Sequence, residues 1–275
     1  MVELSLKEIQ QETLKNLFFF DSICKKLNIN YFLAYGTLLG AIRHNGFIPW
    51  DDDVDVMLFR KDLSKLLSYY EQNREEFGSF KICTRENTKN YTTSIPRFIN
   101  TDFIYKTSYS YEKKYELGTF IDLYPLDNAT NSEAECHKLG KKIRQLNKCY
   151  IIYKNPNNGK KGLKKLARYI LSGLLYILWG KDFNFDAKIA KILSKKTSDS
   201  DKFVSVLYDR TKNEYCDAFT RDYFLPPCNH VFESYSLPVP NQFDALLKIY
   251  YGDYMTLPPE SERVPHHNYK IYRKN

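Results

Sequence analysis

The sequence predicts an α+β fold, in which a mixed β-sheet core is flanked by helices and joined by an added helical region. Helical and strand-like periodicities alternate within residues 5–77, and short strand-like runs separated by polar turns follow within residues 80–124. Residues 131–198 carry a helical pattern. The chain has 275 residues, 43% of them hydrophobic, with only 11 Gly and 11 Pro, which excludes the disordered and collagen-like classes.

The N-terminal part predicts a strand, turn and helix unit between two further helices. Ser5 and Glu8 have the spacing of a helix capping box, and apolar residues recur behind them at helical spacing. Gly36 ends an aromatic-rich run that suits a buried strand. The elements expected in order are a helix over 5–27, a strand over 31–35, a helix over 37–44, a strand over 53–59 and a helix over 62–77.

The middle and the C-terminal parts have weaker patterns. Residues 131–198 are expected to be helical with a break at 155–159, and the Pro-rich tail from Pro226 is expected to be loop-like. The strands expected before this helical part lie at 80–84, 94–99, 103–105 and 119–124.

Positive charge is concentrated in one segment. Residues 131–200 hold 16 Lys and Arg against 5 Asp and Glu, whereas the whole chain has a net charge of +8. This concentration indicates an anionic partner, such as a phosphate-rich polymer, nucleic acid or an anionic membrane surface. Because no recognisable nucleic-acid-reading element accompanies the charge, we expect no nucleic acid partner.

Residues 160–181 have a basic first half and an apolar second half. This composition suits an interfacial helix on an anionic inner leaflet, and a buried helix with a solvated basic end is the alternative. No stretch of the sequence reaches the roughly 18 apolar residues of a membrane span, and residues 1–11 are too polar for a signal peptide. The six cysteines lack the spacing of a zinc site. We therefore expect a cytoplasmic protein with reduced thiols.

Two carboxylates on one predicted strand are the first candidate for chemistry. Asp53 and Asp55 are two residues apart, so their side chains share one face of the strand. Mg²⁺ prefers one or two carboxylates together with phosphate oxygens, so this pair predicts a metal clamp. A solvated acidic turn is the alternative for a D-x-D pair alone.

The preceding turn strengthens the metal interpretation. Gly36 and Thr37 lie at a strand-to-helix turn, where backbone N–H groups and the helix N-terminus favour an anion such as a phosphate. A glycine turn followed by D-x-D on the next strand is the arrangement of the nucleotidyltransferase superfamily, which adds a third carboxylate from a later strand. Asp122 is the acidic residue inside a later apolar run, and the alternative is a lone aspartate on the solvent side.

Three longer motifs stand out in the sequence: YFLAYGTLLGAIRHNGFIPWDDDVDV at 31–56, GTFIDLYPLD at 118–127 and YYGDYMTLPP at 250–259. They resemble the LicD family, which is related to fukutin and fukutin-related protein. Tyr35 is a departure, since a second glycine is expected before Gly36 in many relatives. The resemblance implies three regions: a nucleotidyltransferase-like catalytic core at 1–130, a basic helical region at 131–200, and a C-terminal segment at 201–275 that packs back on the core.

The resemblance also implies a metal-dependent transferase that moves a phospho-alcohol from a cytidine-diphosphate donor to a glycan. Asp53, Asp55 and Asp122 are then expected to hold Mg²⁺ or Mn²⁺, with Asp122 as the base for the acceptor hydroxyl. CDP-choline is the favoured CDP-alcohol donor, and a polyanionic or lipid-linked glycan, such as a teichoic-acid or lipopolysaccharide precursor, is the expected acceptor. A catalytically silent, polyanion- or membrane-binding scaffold and a true nucleotidyltransferase are the alternatives.

Further polar and aromatic residues are candidates for donor binding. Arg43 suits a phosphate contact or a surface ion pair, and His44 suits either the site or the support of the following loop. Trp50 immediately precedes the aspartates, and Arg97 lies in a predicted strand, where an inward charge needs a partner such as phosphate. Arg263 and His266 either close over the site or belong to a loop fixed to the core.

Overall fold

A mixed sheet of seven strands forms the centre of the computed structural model, which describes residues 1–107, 116–157, 160–181, 183–208, 218–265 and 269–274. Five strands lie in the order β2-β3-β7-β5-β4, and β8 and β9 extend the sheet from the end of β7. These strands are β2 (Tyr31–Leu33), β3 (Asp55–Phe59), β4 (Phe80–Cys83), β5 (Arg97–Asn100), β7 (Thr119–Asn128), β8 (Phe203–Ser205) and β9 (Phe219–Thr220).

The register of this sheet brings the predicted acidic residues together. β3 and β7 are parallel, and Asp55 lies opposite Asp122. β5 runs antiparallel to β7 on its other side, and Arg97 also lies opposite Asp122. Side chains at paired positions of neighbouring strands point to the same face, so one row across the sheet carries two carboxylates and a guanidinium.

Seven helices are described, and they cover the sheet and build the middle region. The capping box predicted for the first helix is confirmed, because Glu8 N–H donates to Ser5 Oγ and Ser5 N–H donates to Glu8 Oε2. The helices are α1 (Leu6–Lys26), α2 (Tyr35–His44), α3 (Arg60–Gln72), α4 (Glu133–Lys154), α5 (Gly162–Trp179), α6 (Phe185–Lys196) and α7 (Phe243–Tyr251). Together with the mixed sheet they confirm the α+β class.

The interpretation of the tail beyond Pro226 as loop-like is wrong. It forms a hairpin, the helix α7 and a last strand that pairs with both β6 and β1. The short strands hid this structure, since only Ile271 of the last strand is buried and no apolar run marks it. His266 lies outside the described residues. The strands outside the central sheet are β1 (Val2–Glu3), β6 (Phe103–Thr107), β10 (Cys228–Phe232), β11 (Tyr235–Val239) and β12 (Tyr269–Arg273).

The helices α4, α5 and α6 enclose a hydrophobic cluster of their own, which includes Ile143, Leu175 and Ile189. The break predicted at 155–159 is confirmed for its described part, because α4 ends at Lys154, although residues 158 and 159 lie outside the described residues. The division into regions 1–130, 131–200 and 201–275 stays a prediction.

Gly118 fixes the start of β7, the strand that carries Asp122. A Cβ atom at this position would lie 1.7 Å from the carbonyl oxygen of Asn100, so Gly118→Ala is expected to lower the free energy of unfolding by about 1–3 kcal/mol or more through overpacking. Gly173→Ala is the matched control, because a Cβ at this helical position meets nothing within 4 Å and should raise stability by about 0.5–1 kcal/mol. Urea denaturation of both variants tests this; equal stabilities would contradict the tight contact at Gly118.

Candidate active site

An acidic cleft of about 490 Å³ opens where α2 and the loop after it meet the ends of β3 and β7. The segment after α7 forms its opposite wall. Acidic and aromatic side chains predominate in the lining, which consists of Tyr35, Gly36, Leu39, Arg43, Ile48, Trp50, Asp51, Asp53, Asp55, Asp122, Tyr124, Tyr251, Asp253, Tyr254, Thr256, Pro258 and Glu262. Asp53, Asp55 and Asp122 therefore face one cavity. The prediction that Asp53 lies on the strand is wrong, because β3 begins at Asp55 and Asp53 belongs to the loop before it.

Asp55 is the most constrained carboxylate of the cleft. Its backbone N–H donates to Thr37 Oγ1 at 2.9 Å, which ties β3 to the first turn of α2. Among the described residues, its Oδ1 is buried and has no hydrogen-bond partner. Burial, followed by the negative charges of Asp53, Asp122 and Asp51, raises the pKa of Asp55 well above its ordinary value. The positive charge of Arg97 offsets only part of this rise.

Asp122 is paired with Arg97 across the sheet. The Nε–H of Arg97 donates to Asp122 Oδ1 at 2.7 Å, and the two side chains are only 11% and 13% exposed. The guanidinium also lies 4.3 Å from the ring centroid of Phe120. Arg97, which the sequence suggested for donor phosphate, thus contacts a carboxylate of the cleft directly.

The run Asp51 to Asp53 is the tightest acidic group in the described part of the chain. One carboxylate oxygen from each of the three residues lies within 4.8 Å of the others. Side chains distant in sequence hold this run from outside: Gln10 Nε2 donates to the backbone oxygen of Asp51 at 2.8 Å, and the Tyr269 hydroxyl donates to that of Asp52 at 2.8 Å. The first helix and the last strand of the chain therefore fix the acidic loop.

Gly36 gives the Asp51 carboxylate access to the start of α2. A Cβ at position 36 would lie 2.7 Å from Asp51 Oδ2, so any larger residue would collide with this side chain. The Thr37 side chain is buried and accepts the bond from Asp55. The predicted phosphate turn therefore presents a carboxylate beside Gly36, and Thr37 supports the strand beneath.

Arg43, His44 and Trp50 meet at the end of α2. Arg43 lines the cleft and its Nη1 donates to the backbone oxygen of Tyr254 at 2.8 Å, which joins α2 to the opposite wall. His44 accepts a bond from Arg43 Nε and contacts Trp50 edge to face, so it lies behind the wall. Burial and the charge of Arg43 lower the pKa of His44. The Arg263 guanidinium lies 5.9 Å from the Trp50 ring centroid.

The sequence analysis missed several residues of the cleft. Asp51 lies beside the predicted pair, and the run of three aspartates was the available signal. Tyr35 has a left-handed φ of 45°, and its ring contacts the ring of Tyr124 with centroids 4.9 Å apart. Burial and the neighbouring charge of Asp55 raise the pKa of Tyr251. These tyrosines lie in the motifs at 31–56, 118–127 and 250–259, and that membership was the available signal, although it did not assign them to the cleft.

The oxygen-rich set of ligands fits a hard divalent cation. Mg²⁺ and Mn²⁺ are bound by carboxylate oxygens and phosphate oxygens, and the cleft offers Asp51, Asp53, Asp55 and Asp122. The buried, unpartnered Oδ1 of Asp55 is the atom that most needs such an ion. The same cleft is large enough for part of a nucleotide donor, since ligand pockets measure about 300–1,000 Å³.

Comparison with known proteins gives results of two kinds. The family model described as LicD/FKTN/FKRP, nucleotidyltransferase domain, matches residues 28–151, which include α2, β3 and β7. The lipopolysaccharide cholinephosphotransferase LicD of Haemophilus influenzae is 30% identical to this chain, over 99% of each protein. An uncharacterized protein of Rickettsia prowazekii is 31% identical over 54% of each chain. The similarity to the Haemophilus protein thus extends well beyond the matched domain.

Proposed function

Since this chain belongs to the LicD/FKTN/FKRP family, we propose that it is a transferase that moves phosphocholine from CDP-choline onto a hydroxyl of a cell-surface glycan precursor. The full-length similarity to a lipopolysaccharide cholinephosphotransferase carries this proposal. The acidic cleft supports it, because Asp51, Asp53, Asp55 and Asp122 all lie within the matched domain and are carboxylates of the kind that phosphoryl transfer requires.

Metal dependence is part of the proposal. We assign Asp53, Asp55 and Asp122 as the residues that hold Mg²⁺ or Mn²⁺, with Asp51 as an additional ligand from the same cleft. The bound ion would supply positive charge that neutralises the donor diphosphate and the charge that develops during transfer. The unpartnered oxygen of Asp55 supports this assignment.

The transfer itself exchanges one P–O bond for another. The acceptor oxygen forms a bond to the phosphorus that carries choline, and the bond from that phosphorus to the bridging oxygen breaks, so CMP leaves with the bridging oxygen. Asp122 accepts the proton of the acceptor hydroxyl. Arg97 holds the Asp122 carboxylate from the neighbouring strand and so orients it.

The proposed binding of the choline group of the donor rests on the aromatic lining of the cleft. A quaternary ammonium group is attracted to the faces of aromatic rings, with Trp and Tyr the strongest partners. Tyr35 and Tyr124 line the cleft as a ring pair, and Tyr124 projects from the same face of β7 as Asp122 because it lies two residues further on. These rings are the proposed contact for the choline group. Arg43 and Trp50 are proposed for the rest of the nucleotide donor.

We infer the class of acceptor and the location of the protein from the positive charge of residues 131–200. We propose a polyanionic or lipid-linked acceptor of the lipopolysaccharide or teichoic-acid class, which the basic residues 131–200 would attract. A cytoplasmic location at the inner face of the membrane is proposed with it. The five described cysteines are free, which suits a reducing compartment.

Product analysis with CDP-choline labelled separately in choline and in cytidine tests the reaction. With Mg²⁺ and a purified lipopolysaccharide precursor, we expect the choline label on the glycan and the cytidine label in released CMP. A cytidine label on the acceptor would instead identify a true nucleotidyltransferase. Absence of turnover with both glycan classes and several CDP-alcohols, despite metal binding, would favour the catalytically silent scaffold.

A further inference from the structure

In the described part of the chain, the helix α5 (Gly162–Trp179) contacts the rest of the protein through one narrow stripe. Arg168 donates to the backbone oxygens of Pro156 and Asn155, and the Ser172 hydroxyl donates to that of Tyr153. Leu175 is the buried residue of the helix, at 7% exposure. Arg168, one of the basic residues of this segment, therefore closes the connection between α4 and α5.

Much of the remaining helix surface is apolar and exposed. Leu163, Ile177 and Leu178 are 84%, 79% and 76% exposed, values far above those of a packed helix. At about 100° per residue, the exposed residues of this stripe share an arc of about 120°, and they extend over about 22 Å of helix length. We call this stripe the α5 apolar face; it consists of Leu163, Leu166, Ile170, Leu174, Ile177 and Leu178.

Charge around the α5 apolar face is of one sign. Lys160, Lys161, Lys164 and Lys165 are exposed at its N-terminal end, and the sequence from Lys160 to Lys181 contains no Asp or Glu. Tyr169 and Tyr176 are half exposed along the border of the face. Lysines that flank an apolar stripe bordered by tyrosines are typical of helices that lie in the headgroup region of a bilayer.

No described helix is long and apolar enough to cross a membrane, and this includes α5. A second copy of the chain also fits poorly, since α5 would bring no acidic side chain to meet the lysines of its partner. We therefore propose that α5 docks this protein on an anionic lipid bilayer, with the α5 apolar face in the acyl boundary and the lysines on the headgroups. This inference is independent of the transfer reaction.

Binding of the full-length protein to vesicles tests the proposal. The parent should bind vesicles of phosphatidylglycerol mixed with phosphatidylcholine, whereas Ile170→Asp with Ile177→Asp should lose at least about a hundredfold in affinity. Both residues are exposed, so the fold should survive. Val231→Asp with Ile249→Asp is the control, because these apolar residues are also exposed, at 49% and 50%, but lie outside α5, and it should bind like the parent.

A charge variant tests the headgroup contact separately. Replacing Lys160, Lys161 and Lys164 with Gln should weaken binding about a hundredfold at low salt, with a smaller difference at high salt. The same change at Lys191, Lys195 and Lys196 of α6 removes equal charge from another exposed surface and should have little effect.

Three outcomes would overturn the proposal. One is undiminished vesicle binding by the aspartate variant, and another is an equal loss in the α6 variant, which would indicate a diffuse charge effect. The third is a parent dimer, detected by analytical ultracentrifugation, that the aspartate variant breaks while no vesicle binding is seen. If the aspartate variant does not fold, the two lysine variants decide between a local and a diffuse contact.

Discussion

Asp55→Asn is expected to lower kcat at least about a hundredfold while the protein stays folded. The proposed ion would lose a ligand, and such a loss removes several kcal/mol of transition-state stabilisation. Asn keeps the size of the side chain, and the backbone N–H bond to Thr37 is unaffected by the change. Asp53→Asn should cause a loss of the same order. Turnover of CDP-choline by the purified variants measures both effects.

Asp55→Asn should lower kcat, but in the absence of metal it should not lower the stability of the folded protein. Because the pKa of Asp55 is raised in the folded protein, this group favours folding below its unfolded pKa, and that contribution is lost as pH rises through the folded pKa. In EDTA at neutral pH, Asp55→Asn should therefore be at least as stable as the parent. The difference should close as pH falls toward the ordinary carboxyl range.

A metal-binding measurement distinguishes the loss of a metal ligand from a distortion of the site in Asp55→Asn. Mg²⁺ or Mn²⁺ alone should raise the Tm of the parent, and this rise should be smaller in Asp55→Asn. An Asp55→Asn protein with parental kcat would remove Asp55 from the metal site. A variant with low kcat but an undiminished metal-dependent rise in Tm would assign Asp55 another role.

Much of the site was predictable because its signals are local. The D-x-D pair puts Asp55 at the start of β3 and Asp53 in the loop just before it, and Asp122 interrupts an apolar run that forms β7. The alternation of a strand and the capping of a helix depend on neighbours within a few residues, which the sequence displays directly.

The remaining features depend on contacts between distant residues. Gln10 and Tyr269 hold the acidic loop from opposite ends of the chain, and neither lies in a motif that indicates this role. Arg97 meets Asp122 only because β5 pairs with β7 in one register, which residues 94–99 alone do not specify. The cleft wall after α7 was hidden for the same reason.

The composition of the α5 segment predicted part of its structure but did not decide between two alternatives. Its basic and apolar halves were visible in the sequence and left an interfacial and a buried helix as alternatives. Burial favours the first, since one residue of the helix, Leu175, is buried. The sequence did not show that Arg168 is bonded to backbone oxygens, because those bonds follow from the bend between α4 and α5. The lysines of the segment therefore remain as the basic residues free to meet a headgroup.

Asp122→Asn is expected to lower kcat by at least about a hundredfold, for two reasons. The variant would lack a proposed metal ligand, and an amide cannot accept the proton of the acceptor hydroxyl. Breaking the pair with Arg97 should lower stability as well, since both side chains are nearly buried.

Asp127→Asn is the control that separates catalysis from stability. Asp127 lies on the same strand and is 1% exposed, and it accepts two bonds from Arg60, at 2.7 Å and 2.9 Å. Five residues from Asp122, it faces the other side of the sheet and does not line the cleft. Asp127→Asn should therefore lose stability but keep kcat, measured where circular dichroism shows both variants folded. If Asp127→Asn is inactive and Asp122→Asn is not, Asp127 is the third carboxylate and the assignment of Asp122 is wrong.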